Sequence, residues 1–173
     1  MTWLPEAAPG ETPLDRVFGL TPAAYARFRA LYASLWDPTV IDPAVLELCR
    51  LRIAMLLGAE GERRVRCSAA RAAGCTEAQV SALAGWPESP LFTDVQRLCL
   101  GFAEQYVLDP HGFRDEDFTE LRVHLDAPAI ATLTLAVAVF DALARFRLAL
   151  DVDPVADRPE VVSGPHPDAA SLP

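Results

Sequence analysis

Helix boundary signals recur through the middle of the chain, and they constrain its fold more than any other feature. Two segments place a capping side chain directly before a proline at the first helical position: Thr21-Pro22 and Asp42-Pro43. Two further pairs have the spacing of a capping box: Thr76 with Gln79, and Thr93 with Gln96. Gly58 and Gly74 stand where a left-handed residue is expected to end a helix.

Apolar residues between these signals repeat with helical spacing, as in the stripe of Val95, Leu98 and Phe102. No segment alternates apolar and polar residues between turn residues, so we expect no sheet. The sequence predicts an all-α protein, a compact bundle of about seven helices. We expect these helices near residues 21–36, 43–57, 60–73, 76–84, 93–108, 115–125 and 127–150.

The two ends of the chain differ from its middle. Residues 1–20 contain prolines and little apolar periodicity, which predicts an extended N-terminal arm. Residues 151–173 hold prolines among acidic and small residues, a composition that cannot build a core and predicts a disordered tail. The folded domain is therefore expected over residues 21–150.

The charge balance excludes several classes of function. The chain has 15 basic and 24 acidic residues and a formal net charge of -9, which argues against nucleic acid or an anionic membrane surface as a partner. Every basic residue is an arginine. Without lysine, Schiff-base and pyridoxal-phosphate chemistry and a P-loop are excluded.

The N-terminus, the longest apolar stretch and the cysteines indicate the cellular location and the absence of bound groups that we expect. No basic start with an apolar segment opens the chain, so we expect a cytoplasmic protein. Residues 127–140 are too few to span a bilayer and predict a buried core helix. The four cysteines form no Cys-x-x-Cys pair and have no histidine at ligand spacing, so we expect buried thiols, no metal and no cofactor.

Charged residues inside apolar helices are the candidates for a functional site. The segment 43–57 is apolar nearly all round, so its Glu47 and Arg50 need partners, although they could also form a surface ion pair. Glu62 and Arg66 lie one turn apart on the next predicted helix, where the alternative is a solvated face.

The last predicted helix carries Asp141 and Arg145 at a spacing of i, i+4. They form either a self-satisfied pair at a subunit or solvent boundary, or part of a buried polar pocket. The histidines are weaker candidates, since His111 lies in turn sequence, His124 near a helix end and His166 in the tail.

Several motifs of the segment 43–150 resemble, in order and spacing, the carboxymuconolactone decarboxylase and alkylhydroperoxidase-D-like family. They are residues 47–54 (ELCRLRIA), 69–76 (AARAAGCT), 86–92 (WPESPLF), 101–104 (GFAE) and 133–138 (LTLAVA). The resemblance implies a small all-helical protein that assembles as a trimer, dimer or hexamer.

The site pattern of that family is only partly present. The redox branch carries a glutamate, then a Cys-x-x-Cys pair, then a histidine. Glu47 matches the glutamate, but Ala59 and Glu62 occupy the cysteine positions and Arg66 the histidine position. A carboxylate at position 62 cannot act as an attacking or resolving thiol. The decarboxylase branch also lacks the cysteines, but it keeps the histidine that this chain has lost.

The first functional hypothesis is a cofactor-independent, decarboxylase-type enzyme that acts on a small anionic metabolite, by decarboxylation, lactone opening or isomerisation. Arg66, with Arg145, would bind a carboxylate or enolate oxygen of the substrate. Glu62 would act as general acid or base. Glu47 or Asp141 would be the partner of the Glu62 carboxylate.

Two alternatives remain open. One is a peroxidase-like oxidoreductase that uses Cys67 or Cys75 as a non-standard reactive thiol. The other is a non-catalytic oligomeric scaffold in which Glu47, Glu62 and Arg66 form a salt-bridge cluster. A cavity around these residues would favour an enzyme, and a filled interior would favour the scaffold.

Overall fold

The computed structural model of this chain describes Leu4, residues 13–152 and residues 160–162. The α-helices of this part are α1 (Pro13–Phe18), α2 (Pro22–Ser34), α3 (Pro43–Leu57), α4 (Glu60–Arg64), α5 (Ser68–Ala72), α6 (Glu77–Ala82), α7 (Asp94–Leu108), α8 (Asp115–His124) and α9 (Ala127–Leu150). A 3-10 helix covers Leu83–Glu88, and two short strands are β1 (Val65–Cys67) and β2 (Glu160–Val162). The predicted all-α fold is confirmed.

Helix α3 lies at the centre of the bundle, between α7 and α9. Its first turn is capped by Asp42, whose carboxylate accepts a hydrogen bond from the Ala44 amide at 2.8 Å. It ends at Gly58, whose φ of 71° is the left-handed conformation that glycine adopts without strain. The side chains of α3 are buried on nearly every side, so any charge on this helix needs a protein partner.

Helix α9 packs against α3 through one stripe of its surface, which is made of Leu133, Ala136, Val137, Phe140, Leu143, Ala144 and Arg147. By length and hydropathy alone this helix could cross a membrane. Its buried stripe instead makes it a core helix of the bundle. Only 39% of its most apolar window is buried, so much of its opposite face is not covered by the described part of the chain.

The predicted caps have different outcomes. Both capping boxes are present, at Thr76 with Gln79 and at Thr93 with Gln96. Thr21 makes no side-chain cap, although Pro22 does begin α2. Pro22 can begin the helix without this cap, because its fixed φ suits a helix and its missing N–H would have no partner within the helix.

The predicted helix over residues 60–73 is interrupted at β1, a three-residue strand that the sequence did not predict. Strands β1 and β2 form a parallel pair in which Val65 is opposite Glu160. Two buried side chains of α3 also hold β1, since Arg50 donates to the Val65 carbonyl at 2.8 Å and Glu47 accepts from the Cys67 amide at 2.9 Å. These hydrogen bonds from α3 take the place of the hydrogen bonds that a continuous helix would make. Sequence periodicity does not contain such long-range contacts.

The N-terminal segment differs from the extended arm that we expected. Pro13 starts α1 rather than preventing a helix, and Leu14 and Val17 are buried in the core. The ring of Phe18 stacks on Phe146 of α9 with centroids 5.0 Å apart. The predicted disordered tail contains β2 over residues 160–162, and its other residues beyond 152 lie outside the described part.

Candidate functional site

Four charged side chains meet in the interior of the bundle, and we call them the buried quartet: Glu47 and Arg50 of α3, Glu62 of α4, and Arg147 of α9. Their residues are each at most 3% exposed. Two carboxylates and two guanidinium groups give the quartet no formal net charge. This balance is what permits four ionic groups in an apolar interior, because an unpaired charge there is strongly unfavourable.

Arg50 is the central member of the quartet. Its Nε and Nη2 donate to the two carboxylate oxygens of Glu47 at 2.9 and 3.0 Å, a bidentate pair. Its Nη1 donates to Glu62 twice, to Oε1 at 2.5 Å and to the backbone carbonyl at 3.1 Å. With the bond from Nη2 to the Val65 carbonyl, all five N–H groups of the guanidinium have partners.

Glu62 links the two arginines. Its Oε1 accepts from Arg50, and its Oε2 lies 3.3 Å from Nε of Arg147 in an ion-pair contact. Burial alone would lower the pKa of Arg50, but the charges of Glu47 and Glu62 outweigh it, so this pKa lies well above its usual value. Arg50 therefore stays charged and keeps both carboxylates paired.

Tyr32 is a further buried group near the quartet. Burial raises the pKa of this phenol well above its usual value, and the charges of Arg50, Glu62 and Glu47 act on it as well. Its ring packs against Trp36 and Phe140 with centroids 6.2 and 5.8 Å away. The surroundings of the quartet on this side are therefore aromatic and packed.

Arg66 does not join Glu47 and Glu62, contrary to the sequence prediction. Its Nε donates to Glu77 at 3.1 Å, and its Nη1 donates to the carbonyls of Arg63 and Val65. The reason is the extended backbone of β1, which removes the helical spacing that would have placed Arg66 one turn from Glu62.

Arg66 lines a cleft of about 300 Å³ on the outside of the quartet, together with Arg63 and Arg64. The cleft also contains Glu60, whose carboxylate pairs with Arg63 at 2.7 Å. Neither Glu47 nor Glu62 lines it. The structure thus separates the predicted anion-binding arginine from the predicted general acid or base.

Asp141 and Arg145 lie apart from the other predicted site residues. Nε of Arg145 donates to both oxygens of Asp141, at 2.9 and 3.0 Å. The side chains are 20% and 55% exposed, so this is a self-satisfied pair at the solvent boundary. The structure shows the first of the two alternatives considered for them, and it does not bring them to the quartet.

Two quartet members were not selected from the sequence. The sequence predicts that Arg50 either needs a partner in the interior or forms a surface pair with Glu47, but neither Arg50 nor Arg147 is among the predicted site residues. A signal for Arg147 does exist, because it continues the apolar stripe of Leu133, Val137 and Phe140 at helical spacing. An arginine in register with a core stripe indicates a buried, partnered charge.

The thiols lack the property that peroxidase chemistry requires. Burial raises the pKa of all four cysteines, and that of Cys75 and Cys99 reaches about 12. Cys67 has its amide bonded to Glu47, and its side chain is buried. In the described part of the chain, no group of three or more His, Cys, Asp or Glu side chains is placed to hold a metal ion.

Comparisons with known proteins agree with this architecture. Residues 22–105 match the model of the carboxymuconolactone decarboxylase family. The uncharacterized protein YnjA of Escherichia coli (strain K12) is 32% identical over 112 residues, which are 65% of this chain and 62% of that protein. The chain thus matches less than two thirds of the length of that relative.

A solved structure shows the same fold. It is the crystal structure of a protein of unknown function from Agrobacterium tumefaciens, for which a role as the antioxidant defence protein AhpD has been suggested. The two chains superpose with a TM-score of 0.69 and 19% identity, over 82% of this chain and 97% of the other. Over residues 22–105 the chain is therefore similar to the carboxymuconolactone decarboxylase family, and it lacks the Cys-x-x-Cys pair and the histidine of that family's redox branch.

Proposed function

We propose that this protein is a non-catalytic, homo-oligomeric member of its family, which acts by binding and not by chemistry at the inherited site. The observation that carries the proposal is the closed state of the buried quartet. Every carboxylate oxygen of Glu47 and Glu62 lies against a guanidinium group. A cytoplasmic location and a small carboxylate as ligand, both predicted from the sequence, remain part of this proposal.

The acid/base enzyme is the less favoured reading because a general acid or base must reach its substrate. Glu62 is 3% exposed and bridges Arg50 and Arg147. A substrate could reach this carboxylate only after breaking a buried ion pair, which leaves an uncompensated charge in the interior. Arg66, the expected anion-binding group, is engaged with Glu77 instead.

A turnover screen tests the proposal. The purified protein is incubated with small carboxylic acids, lactones and, with a dithiol reductant, hydroperoxides, and each mixture is followed by NMR. We expect no conversion above the buffer rate. The proposal would be overturned by conversion that is lost in a folded Glu62→Gln variant but kept in the control variant Asp141→Asn. Fast conversion that does not depend on Glu62 would overturn it as well.

The homo-oligomer is supported by the outer face of α9, which we define by the stripe Ala131, Leu135, Ala138, Ala142 and Ala149. Most of these residues are exposed, and Leu135 is 45% exposed. Small residues at this spacing let two helices approach closely. We propose a second copy of the chain as the occupant, because the same stripe on two copies can form a closed symmetric contact. Arg145 belongs to the same helical row, so its pair with Asp141 would lie at this boundary.

A further inference from the structure

A cavity of about 500 Å³ lies between α7, α8 and the 3-10 helix, and no member of the buried quartet lines it. Its walls are both apolar and charged, which is typical of ligand sites. The lining includes Trp86 of the 3-10 helix, Phe102 of α7 and Phe113 of the loop before α8. This cavity has no role in the function argued from the quartet.

Aromatic rings form the apolar walls of the cavity. The rings of Phe102 and Phe113 are in contact, with centroids 4.8 Å apart. Trp86 faces Gly101, where an added Cβ atom would lie 3.6 Å from Cη2 of the indole. Gly101 and Trp86 both line the cavity, and Gly101 has no side chain that would lie against the indole at this point. A planar ligand is therefore favoured, since aromatic groups stack on such faces.

The indole wall is held in place before any ligand binds. Nε1 of Trp86 donates to Oε1 of Glu104 at 2.7 Å. The same carboxylate pairs with Arg52 of α3, so the ring is tied to the centre of the bundle. A preorganised wall lowers the entropic cost of binding.

Arg97 supplies the positive charge of the cavity. Its guanidinium donates to three backbone carbonyls, those of Trp86 and Pro87 at 3.0 and 3.1 Å and that of Ser89 at 2.7 Å. Among the residues that the structure describes, Arg97 has no carboxylate within ion-pair distance, so its formal charge has no local counterion. A bound anion would supply that counterion.

The other charged groups of the lining are placed differently. Asp117 accepts from the Arg114 amide at 2.9 Å, and its carboxylate also lies 3.4 Å from the Arg114 guanidinium. These contacts compensate both charges, and the hydrogen bonds lower the pKa of Asp117. Glu120 is exposed at the rim, where solvent screens its charge. Arg97 is therefore the charged group of the lining that is neither paired with an opposite charge nor exposed at the rim.

We propose that this cavity binds a small aromatic carboxylate, whose ring lies between Trp86 and the Phe102–Phe113 pair and whose carboxylate lies beside Arg97. The proposal deepens the binding function given above and rests on it. This cavity is separate from the quartet. A failure to bind here would refute only the ligand site, whereas turnover that depends on Glu62 would refute the proposed function.

The first experiment fills the cavity. Binding of 2-naphthoate to the full chain is measured by isothermal titration calorimetry, with Gly101→Leu as the test variant. We expect saturable binding by the wild type and a loss of affinity of about 10-fold or more in Gly101→Leu, since the new side chain occupies the ring position. Gly85→Leu is the matched control, because Gly85 is exposed and does not line the cavity. It should bind as the wild type does.

The second experiment tests the charge. Arg97→Lys and Arg97→Gln both lose the fork that binds the carbonyls, but only the glutamine variant loses the positive charge. We expect Arg97→Gln to bind 2-naphthoate about 10-fold more weakly than Arg97→Lys. Cyclohexanecarboxylate, which has the charge without the ring, and 2-naphthylmethylamine, which has the ring with the opposite charge, should both bind more weakly than 2-naphthoate.

Each of several results would overturn the proposal. No saturable heat with the wild-type protein would show that the cavity is not a site for this ligand class. Equal affinity in Gly101→Leu would place any binding elsewhere. Equal affinity in the two Arg97 variants, or tighter binding of the amine, would remove the carboxylate from the proposal.

Discussion

The two faces of helix α9 carry the same chemistry in opposite surroundings. On the outer face, Arg145 pairs with Asp141 at the solvent boundary. On the inner face, Arg147 pairs with Glu62 in the interior and is 0% exposed. The two arginines are only two residues apart, but two residues turn an α-helix by about 200°.

This contrast shows that the surroundings determine what an ion pair does for a protein. The outer pair can exchange its partners for water at little cost. The inner one cannot, because breaking it leaves a charge without a partner in an apolar interior. A buried pair also constrains the backbone, since Arg50 and Glu47 hold β1 through the Val65 carbonyl and the Cys67 amide.

The quartet is also the basis of the proposal that the chemistry of the family's site is absent here. Glu47 matches the glutamate of the family pattern, and Glu62 stands at one of its cysteine positions. Arg50 pairs with both carboxylates and Arg147 pairs with Glu62, so the two arginines neutralise the two glutamates.

The largest expected effect is on the inner face, from Arg50→Met. This substitution leaves Glu47 and Glu62 in the interior without their common partner, and it also removes the bond to the Val65 carbonyl. We expect the free energy of unfolding to fall by about 3–5 kcal/mol. Urea unfolding followed by circular dichroism measures this change.

The matched control for this prediction is Arg145→Met, the same substitution on the outer face of α9. It should leave the urea midpoint within a few tenths of a molar of the wild type, since a surface pair contributes about 0–1 kcal/mol. Similar losses in both variants would show that burial does not separate the two faces. The contrast drawn between the inner and outer ion pairs of α9 would then be wrong.

A second expected effect concerns the outer face, where Leu135→Arg adds a charge to the proposed contact between copies. We expect the wild type to sediment as an oligomer and the variant as a monomer with an unchanged circular dichroism spectrum, because an unpaired charge is unfavourable in an apolar interface. Sedimentation velocity over a range of protein concentrations measures this.

The control is Leu108→Arg, at a leucine of α7 that is 66% exposed and lies outside the α9 face. It should sediment like the wild type. A wild-type monomer at all concentrations would exclude the interface. An oligomer that persists in Leu135→Arg would place the contact on another surface.

The sequence was sufficient for the parts of the fold that depend on local chemistry. Asp42 and the two capping boxes mark the starts of α3, α6 and α7. The apolar period predicted α9 from its first residue to its last. Each of these helices is specified by its own residues and by those directly before it, so the local sequence is sufficient to predict it.

The candidate site was harder to predict because its geometry depends on contacts distant in sequence. Arg66 was placed beside Glu62 on the assumption of one continuous helix, and β1 breaks that helix through bonds from α3. Local propensity does not contain those bonds. Arg147 could have been found, since it lies in register with the core stripe, whereas Asp141 and Arg145 lie off it.

The smallest expected effect is that of Asp141→Asn on the outer face. The pair with Arg145 is an i, i+4 pair whose arginine side chain is 55% exposed. Such pairs contribute about 0.3–0.5 kcal/mol, and salt screens them. We expect a loss of that size in urea unfolding at low ionic strength, and almost none at 1 M sodium chloride. A loss above about 2 kcal/mol that persists in high salt would show that this pair is buried in the assembled protein. The outer face would then contain a desolvated ion pair of its own, contributed by the contact between copies, and the two faces of α9 would differ only in which chain covers them.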